Sequence, residues 1–284
     1  MIQILDGKAV AEAMAIDLER RVQRLSERDI VPTLAVLRLG RRPEDLQYEK
    51  AITRQCARVG VALRVWELPE DSGTEAVAEA VCAINGDRDI HGCLLMRPFP
   101  ESVQEELVCE LLSSEKDVDG IGSRSLAGVF TGRGEGYCPC TAQACLEILD
   151  YYRIPLEGKR AVVIGRSLVV GKPLAMLLTA RDATVTLCHS KTRGLAELCR
   201  GAELLVSAAG CAGLVDRDAM SPGQVILDVG VNMDEQGQIC GDVVFAQAAQ
   251  AAAITPVPGG VGCVTTTVLC KHVIEAAESR IERK

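Results

Sequence analysis

Residues 161–192 read AVVIGRSLVVGKPLAMLLTARDATVTLCHSKT: an apolar strand, a turn with Gly165 and Gly171 at its ends, an apolar helix, and a second apolar strand closing on His189, Ser190, Lys191 and Thr192. Strand, turn, helix and strand make one βαβ unit, the part of a doubly wound sheet that holds a dinucleotide. The turn is G-R-S-x-x-x-G rather than G-x-G-x-x-G, so it meets the generic fingerprint by half, and the second strand decides more. In an NAD site an acid about 20 residues past the first glycine accepts a hydrogen bond from the ribose 2′-hydroxyl. Here that place holds Ser190 and Lys191, no acid lies near it, and Arg166 sits in the turn. A guanidinium, a hydroxyl and an ammonium suit a 2′-phosphate, which a carboxylate would repel, so the expected cofactor is NADP.

The rest of the chain is read outward from that unit. Its 284 residues suit two domains, and 48% hydrophobic content supplies the apolar surface for real cores. A net charge of -8 with dispersed Lys and Arg argues against a nucleic-acid or anionic-membrane partner and favours small-molecule chemistry. No apolar run approaches the length of a membrane span, and Asp6 and Lys8 interrupt the amino terminus where a secretion signal needs apolar residues, so a cytoplasmic protein is expected. Most of the 13 cysteines lie inside apolar runs, Cys82, Cys93, Cys145, Cys188 and Cys270 among them, and read as reduced, structural thiols. Cys138, Cys140 and Cys145 lack the paired spacing and nearby His of a zinc site, so no metal is expected.

Helical periodicity over 8–27 leads into a buried strand at 33–40. A helix over 43–59, a strand over 62–68, a helix over 74–84, the strand and turn HGCLLMRPFP and a helix over 101–113 follow. The glycine-rich TGRGEGY at 131–137 marks a boundary before a helix over 141–152. Beyond it come strands AVVIG, TVTLC, LLVSAAG and VILDVG, then ITPVPGG, and a final helix over 265–282. Strands alternate with helices throughout, as an α/β fold requires.

Nine segments in order resemble the bifunctional methylenetetrahydrofolate dehydrogenase/methenyltetrahydrofolate cyclohydrolases: the helix bearing Tyr48, GCLLMRPFP, KDVDG at 116–120, PCT at 139–141, VVIGRSLVVGKP, CHSKT, DVGVN at 228–232, GDV at 241–243 and TPVPGGVG at 255–262. The resemblance implies two α/β domains with a cleft between them. Residues 1–142 and 263–284 would form a folate-binding catalytic domain, and 143–262 a Rossmann-like NADP-binding domain on a parallel sheet. It also implies a homodimer acting on a one-carbon derivative of tetrahydrofolate.

Carried over position by position, Tyr48 resembles the tyrosine that stacks on the folate aminobenzoyl ring and Asp119 the carboxylate that holds the pterin. Pro258, Gly259 and Gly260 resemble the substrate loop, which reaches the nicotinamide through Gly262. Arg166, Ser167 and Ser190 resemble the 2′-phosphate contacts, and Thr141 and Val231 join Gly165, Gly171 and Lys191 in the expected cofactor set.

One departure bears on the chemistry. The family reads Tyr-x-x-x-Lys on the first site helix, where this chain has Ile52, and places a glutamine partner where this chain has Met96 followed by Arg97. Lys50 is no substitute: at about 100° per helical residue it lies roughly 200° from Tyr48, whereas Ile52 lies roughly 40° away. Gln55, the next residue on that face, does not titrate usefully. Hydride transfer to nicotinamide removes no proton and can proceed by positioning, but hydrolysis of the methenyl cation is general acid-base work. The expected activity is therefore an NADP-dependent dehydrogenase with weak or lost cyclohydrolase activity. The alternatives are a fully bifunctional enzyme, with Arg97 or a water serving for the lysine, and a non-catalytic folate- or NADP-binding partner, suggested by Ala142, Ala144 and Cys263 beside matching segments.

Overall fold

A computed structural model describes residues 2–234 and 236–282. In chain order the first elements are β1 (Gln3–Ile4), α1 (Gly7–Ser26), β2 (Thr33–Leu39), α2 (Pro43–Val59), β3 (Ala62–Leu68), α3 (Thr74–Gly86), β4 (Gly92–Leu95), α4 (Glu105–Leu111), α5 (Ser123–Thr131) and α6 (Cys140–Tyr151). Next come β5 (Arg160–Ile164), α7 (Gly171–Thr179), β6 (Thr184–Cys188), α8 (Leu195–Arg200), β7 (Leu204–Ser207) and β8 (Val225–Asp228). The short strands β9 (Asn232–Met233), β10 (Ile239–Cys240) and β11 (Ala253–Ile254) precede α9 (Val261–Glu282). The chain divides into two compact units, Met1–Glu12 with Thr141–Thr265 and Ala13–Cys140 with Thr266–Lys284. No described helix is long and apolar enough to cross a membrane.

In the second of these units β2 lies between β3 and β4, parallel to both, with Leu37 in register with Trp66 and Leu95. Every β2 residue is buried, the continuous pattern of a parallel strand covered on both faces. Leu37, Val77, Val81, Ile84, Ile90 and Leu95 pack into one core there. Arg38 interrupts the apolar run and is matched: its guanidinium meets Glu49 at 2.7 Å and Glu67 at 2.8 Å, tying α2 and β3 to the central strand. Pro43 opens α2, Glu44 and Asp45 face its positive end, and Gly60 closes it at φ 83. Its buried residues, Asp45, Ile52, Cys56 and Val59, form a stripe at helical spacing.

The other unit carries a six-stranded sheet in the order β1-β11-β8-β7-β5-β6, every neighbouring pair parallel. Val162, Ile164, Leu205, Ile226 and Ile254 line its core. In such sheets ligands bind outside the carboxyl ends of the strands, and the turns that follow β5, β6, β7 and β8 lie there.

Several expectations are corrected. An amino-terminal domain over 1–142 included residues 1–12, but β1 pairs with β11 and so joins the six-stranded sheet. The helix expected over 101–113 is confined to Glu105–Leu111, because a turn from Pro100 to Val103 occupies its start. Helix α5 occupies a stretch to which no element was assigned. The last helix starts at Val261 rather than 265. Cys82, read as a structural thiol within an apolar run, is exposed on α3, where Val81 takes the inward position. Cys93, Cys145, Cys188 and Cys270 are buried, in keeping with a structural role.

Candidate active site

Tyr48 projects from the middle of α2 and is 36% exposed, while Ile52 one turn on is fully buried at 0%. Lys50 is exposed, as the helical angles require. Gln55 is spent on a structural bond, its side-chain amide donating to Thr267 Oγ1 of α9 at 3.1 Å. Met96 follows β4, is 4% exposed, and donates its backbone N–H to Leu37 O at 2.9 Å. Ile52 and Met96 are thus both buried apolar side chains. Beside Met96, Arg97 is held by Glu105 at 3.1 Å, and Glu105 also accepts the Phe99 N–H at 3.0 Å.

The KDVDG segment divides its labour. Lys116 donates its ammonium to the carbonyls of Ile84, Asn85 and Asp87 at 2.6, 2.9 and 2.6 Å, closing the carboxyl end of α3. Asp117 accepts from Ile121 N, Gly122 N and Ser125 Oγ at 3.0, 2.9 and 2.6 Å, fixing the start of α5. Val118 fills the space beside Gly92, where a Cβ would lie 2.5 Å from its methyl. Asp119 is the remaining acid of the segment. Desolvation pushes its carboxyl up to about 6, opposed by the nearby Arg97 charge and reinforced by Asp117. Cys140 lies against it, with Sγ 3.3 Å from Val118 O and 3.7 Å from His272 Nδ1. Tyr48 belongs to the same cluster: desolvation and then the Asp119 charge hold its phenol protonated. The structure thus brings Tyr48 and Asp119 together, and adds Cys140, which sequence reading weighed only as a metal ligand, and His272, which it did not single out.

In the other unit β5 and β6 run in register to Ile164 and Cys188, and Gly165 N–H donates to Cys188 O at 2.9 Å. Arg166 therefore leaves its strand beside the segment that begins at His189. Gly165, at φ 117, has no room for a Cβ, which would collide with Ala208 O, and a Cβ on Gly171 would collide with Gly165 O. That mutual closeness explains two glycines six residues apart. Ser167 Oγ accepts the Val170 N–H at 3.1 Å and shapes the approach to α7. In the next turn His189 Nδ1 accepts from Lys191 N at 3.1 Å, and Thr192 Oγ1 from His189 N at 2.9 Å. These bonds leave Arg166, Ser167, Ser190 and Lys191 exposed at the carboxyl ends of two adjacent strands. The donor set fits a 2′-phosphate, and the glycine turn fits a close backbone approach by a pyrophosphate.

Gly259, at φ 110, accepts Gly7 N–H at 2.9 Å, and a Cβ on Gly7 would collide with Gly260 O. Pro258 follows a cis bond. Gly262 belongs to the first turn of α9 rather than to a loop, and Thr141 is in the first turn of α6. Val231, 68% exposed, lies just past β8. Sequence reading quoted DVGVN and GDV but gave no role to Asp228 or Asp242, both of which are buried. Among the described residues no three His, Cys, Asp or Glu side chains are placed to hold a metal.

Two family descriptions match this chain: "Tetrahydrofolate dehydrogenase/cyclohydrolase, catalytic domain" over residues 5–119, and "Tetrahydrofolate dehydrogenase/cyclohydrolase, NAD(P)-binding domain" over 139–281. The chain is 47% identical over 281 residues to the bifunctional protein FolD of Carboxydothermus hydrogenoformans, covering 98% of each. Its structure matches bifunctional FolD, methylenetetrahydrofolate dehydrogenase/cyclohydrolase, from Campylobacter jejuni at a TM-score of 0.97 and 36% identity, covering 99% of this chain and 100% of the other. It also matches the Trypanosoma brucei methylenetetrahydrofolate dehydrogenase-cyclohydrolase complexed with NADP and an inhibitor, at 0.93 and 32%, covering 99% and 98%.

Proposed function

The chain belongs to the tetrahydrofolate dehydrogenase/cyclohydrolase family and is an enzyme of it, and on that premise we propose that it oxidises 5,10-methylenetetrahydrofolate with NADP+ while hydrolysing the methenyl product weakly or not at all. The observation that carries the reading is the pairing of the Gly165–Gly171 turn and its exposed Arg166, Ser167, Ser190 and Lys191 with apolar burial at Ile52 and Met96. In this reading Asp119 accepts paired hydrogen bonds from the pterin amide and amine, and Tyr48 offers its ring to the aminobenzoyl group. Pro258, Gly259 and Gly260 border the substrate. Arg166, Ser167, Ser190 and Lys191 hold the 2′-phosphate, and Gly165 and Gly171 make room for the pyrophosphate. Thr141, Val231 and Gly262 serve the nicotinamide end. NADP+ supplies the hydride acceptor. The chain's part in that step is to hold the one-carbon bridge in line, and no proton leaves the substrate. Hydrolysis differs, because water attack and carbon-nitrogen cleavage need proton transfers. A buried isoleucine and methionine supply none.

A specific observation supports the fully bifunctional alternative: Asp119, poised at about 6, is a titratable group that could exchange a proton near neutral pH. A paired assay separates the readings, with NADPH formation from 5,10-methylenetetrahydrofolate and disappearance of methenyltetrahydrofolate followed on the same preparation. Rapid NADPH formation with hydrolysis no faster than the uncatalysed rate supports the proposal; comparable rates refute it. If neither reaction runs, the non-catalytic partner reading replaces both. The enzyme is further proposed to act in the cytoplasm as a homodimer.

Cofactor choice has its own test. Arg166→Ala is expected to weaken NADP+ binding by roughly 1.5 to 3 kcal/mol, the range for a hydrogen bond to a charged group, with a much smaller effect on NAD+. Titration calorimetry with both nucleotides measures it, and equal losses would remove Arg166 from the 2′-phosphate.

A further inference from the structure

The geometry points to Asp242 as a positioning residue for the dinucleotide, one carboxylate that fixes two separate walls of the nucleotide site without touching the ligand. The inference rests on the nucleotide reading above and adds a residue that reading does not use. Asp242 is 0% exposed and accepts four hydrogen bonds. Its Oδ2 takes Ser207 Oγ at 2.9 Å and Ala209 N at 2.8 Å; its Oδ1 takes Cys211 N at 2.8 Å and Asn232 Nδ2 at 3.0 Å. Four donors saturate the capacity of a carboxylate.

Those donors belong to two segments at the carboxyl edge of the sheet. Segment 207–211 follows β7 and abuts the phosphate turn: Ala208 N–H donates to Ile164 O at 2.8 Å, and Ala208 O occupies the space a Cβ on Gly165 would need. Segment 229–232 follows β8 and presents Val231 to solvent, with Asn232 the residue tied back to Asp242. Displacing the first segment alters the wall behind Gly165, and displacing the second moves Val231.

Asp242 is itself held by a second carboxylate. Asp228 Oδ1 accepts from Gly230 N and Asp242 N, each at 3.0 Å, and its Oδ2 accepts from Val243 N at 2.9 Å. Each aspartate also lies where the other's neighbouring glycine would carry a side chain: a Cβ on Gly230 would collide with Asp242, and one on Gly241 with Asp228. The sequence D-V-G followed by G-D is thus the signature of a reciprocal clamp. Desolvation, with the Asp242 charge adding to it, raises the Asp228 carboxyl to about 6 despite three backbone donors.

Titration calorimetry with NADP+, paired with thermal melting of the nucleotide-free protein, tests the clamp. Asn232→Ala removes one donor, leaves Asp242 three others, and loosens the 229–232 segment at its far end while Gly230 N–H stays on Asp228 Oδ1; it is expected to raise the NADP+ Kd roughly tenfold. Ile254→Val, which trims the core of the same sheet at 0% exposure, controls for general destabilisation and is expected to lower the melting temperature with Kd unchanged. Asp242→Asn sets an amide NH2 against two donors and is expected to weaken NADP+ more than Asn232→Ala does. A Kd for Asn232→Ala within the range of wild type and Ile254→Val would overturn the inference and leave Asp242 a folding clamp only. A wild-type protein that bound no NADP+ would overturn the nucleotide reading and this one together.

Discussion

Asp119→Ala is expected to abolish turnover of 5,10-methylenetetrahydrofolate, or to raise its KM by on the order of 10²-fold or more, while NADP+ binding stays at the wild-type level. The magnitude follows from two charge-assisted hydrogen bonds to one pterin edge, each worth about 1.5 to 3 kcal/mol. Selectivity follows from the chain's organisation, because Asp119 belongs to the unit built on β2, β3 and β4, and the phosphate turn to the six-stranded sheet. The same carboxyl supplies a pH signature. Burial raises it to about 6, and only its ionised form accepts two donors. Protonation as pH falls through that value therefore costs affinity, and KM is expected to rise about tenfold per pH unit below it. The variant should show no such inflection. Steady-state kinetics across pH with calorimetry for NADP+ covers both points; a variant that kept folate KM and lost NADP+ would reverse the roles given to the two units.

How much of this was legible before folding depends on the range of the physical cause. Strands 62–68 and 184–188 and the helix over 43–59 match the sequence reading to the residue, because apolar runs and a helical stripe are local patterns. The turn glycines were local too, although the sequence did not reveal that Gly165 and Gly171 crowd each other. Strand β1 escaped, since two residues carry no periodicity and their partner, β11, is some 250 residues away. The start of α9 escaped because Gly259, Gly260 and Gly262 weaken any helix pattern, yet Val261 and Gly262 are helical. At the candidate site, motif matching picked out Tyr48 and Asp119 and overlooked what holds them. Lys116 and Asp117 cap two different helices, and the clamp closes where the Asp242 backbone N–H donates to the Asp228 carboxylate 14 positions away. Pairings across such distances have no period to read.

The largest gain is expected from restoring a base. Ile52→Lys with Met96→Gln should raise methenyltetrahydrofolate hydrolysis by on the order of 10²-fold, the lower range for a positioned acid-base group, whereas Ile52→Lys alone should raise it much less. Ile52 is 0% exposed, so a lysine there loses hydration and its pKa falls. Without a partner, a buried ammonium is also destabilising by several kcal/mol. An amide oxygen at position 96 would accept from that ammonium and restore part of its proton affinity. The two changes should therefore be non-additive in activity and in melting temperature. Lys50→Ala should change neither half-reaction, since Lys50 is exposed on the far face of α2. NADPH formation should survive the double change, because hydride transfer asks only for position. Stopped-flow hydrolysis and thermal melts on the four members of the cycle give the answer. A wild-type protein with vigorous hydrolysis, or a double variant no better than Ile52→Lys alone, would show that proton transfer in this chain never depended on the missing pair.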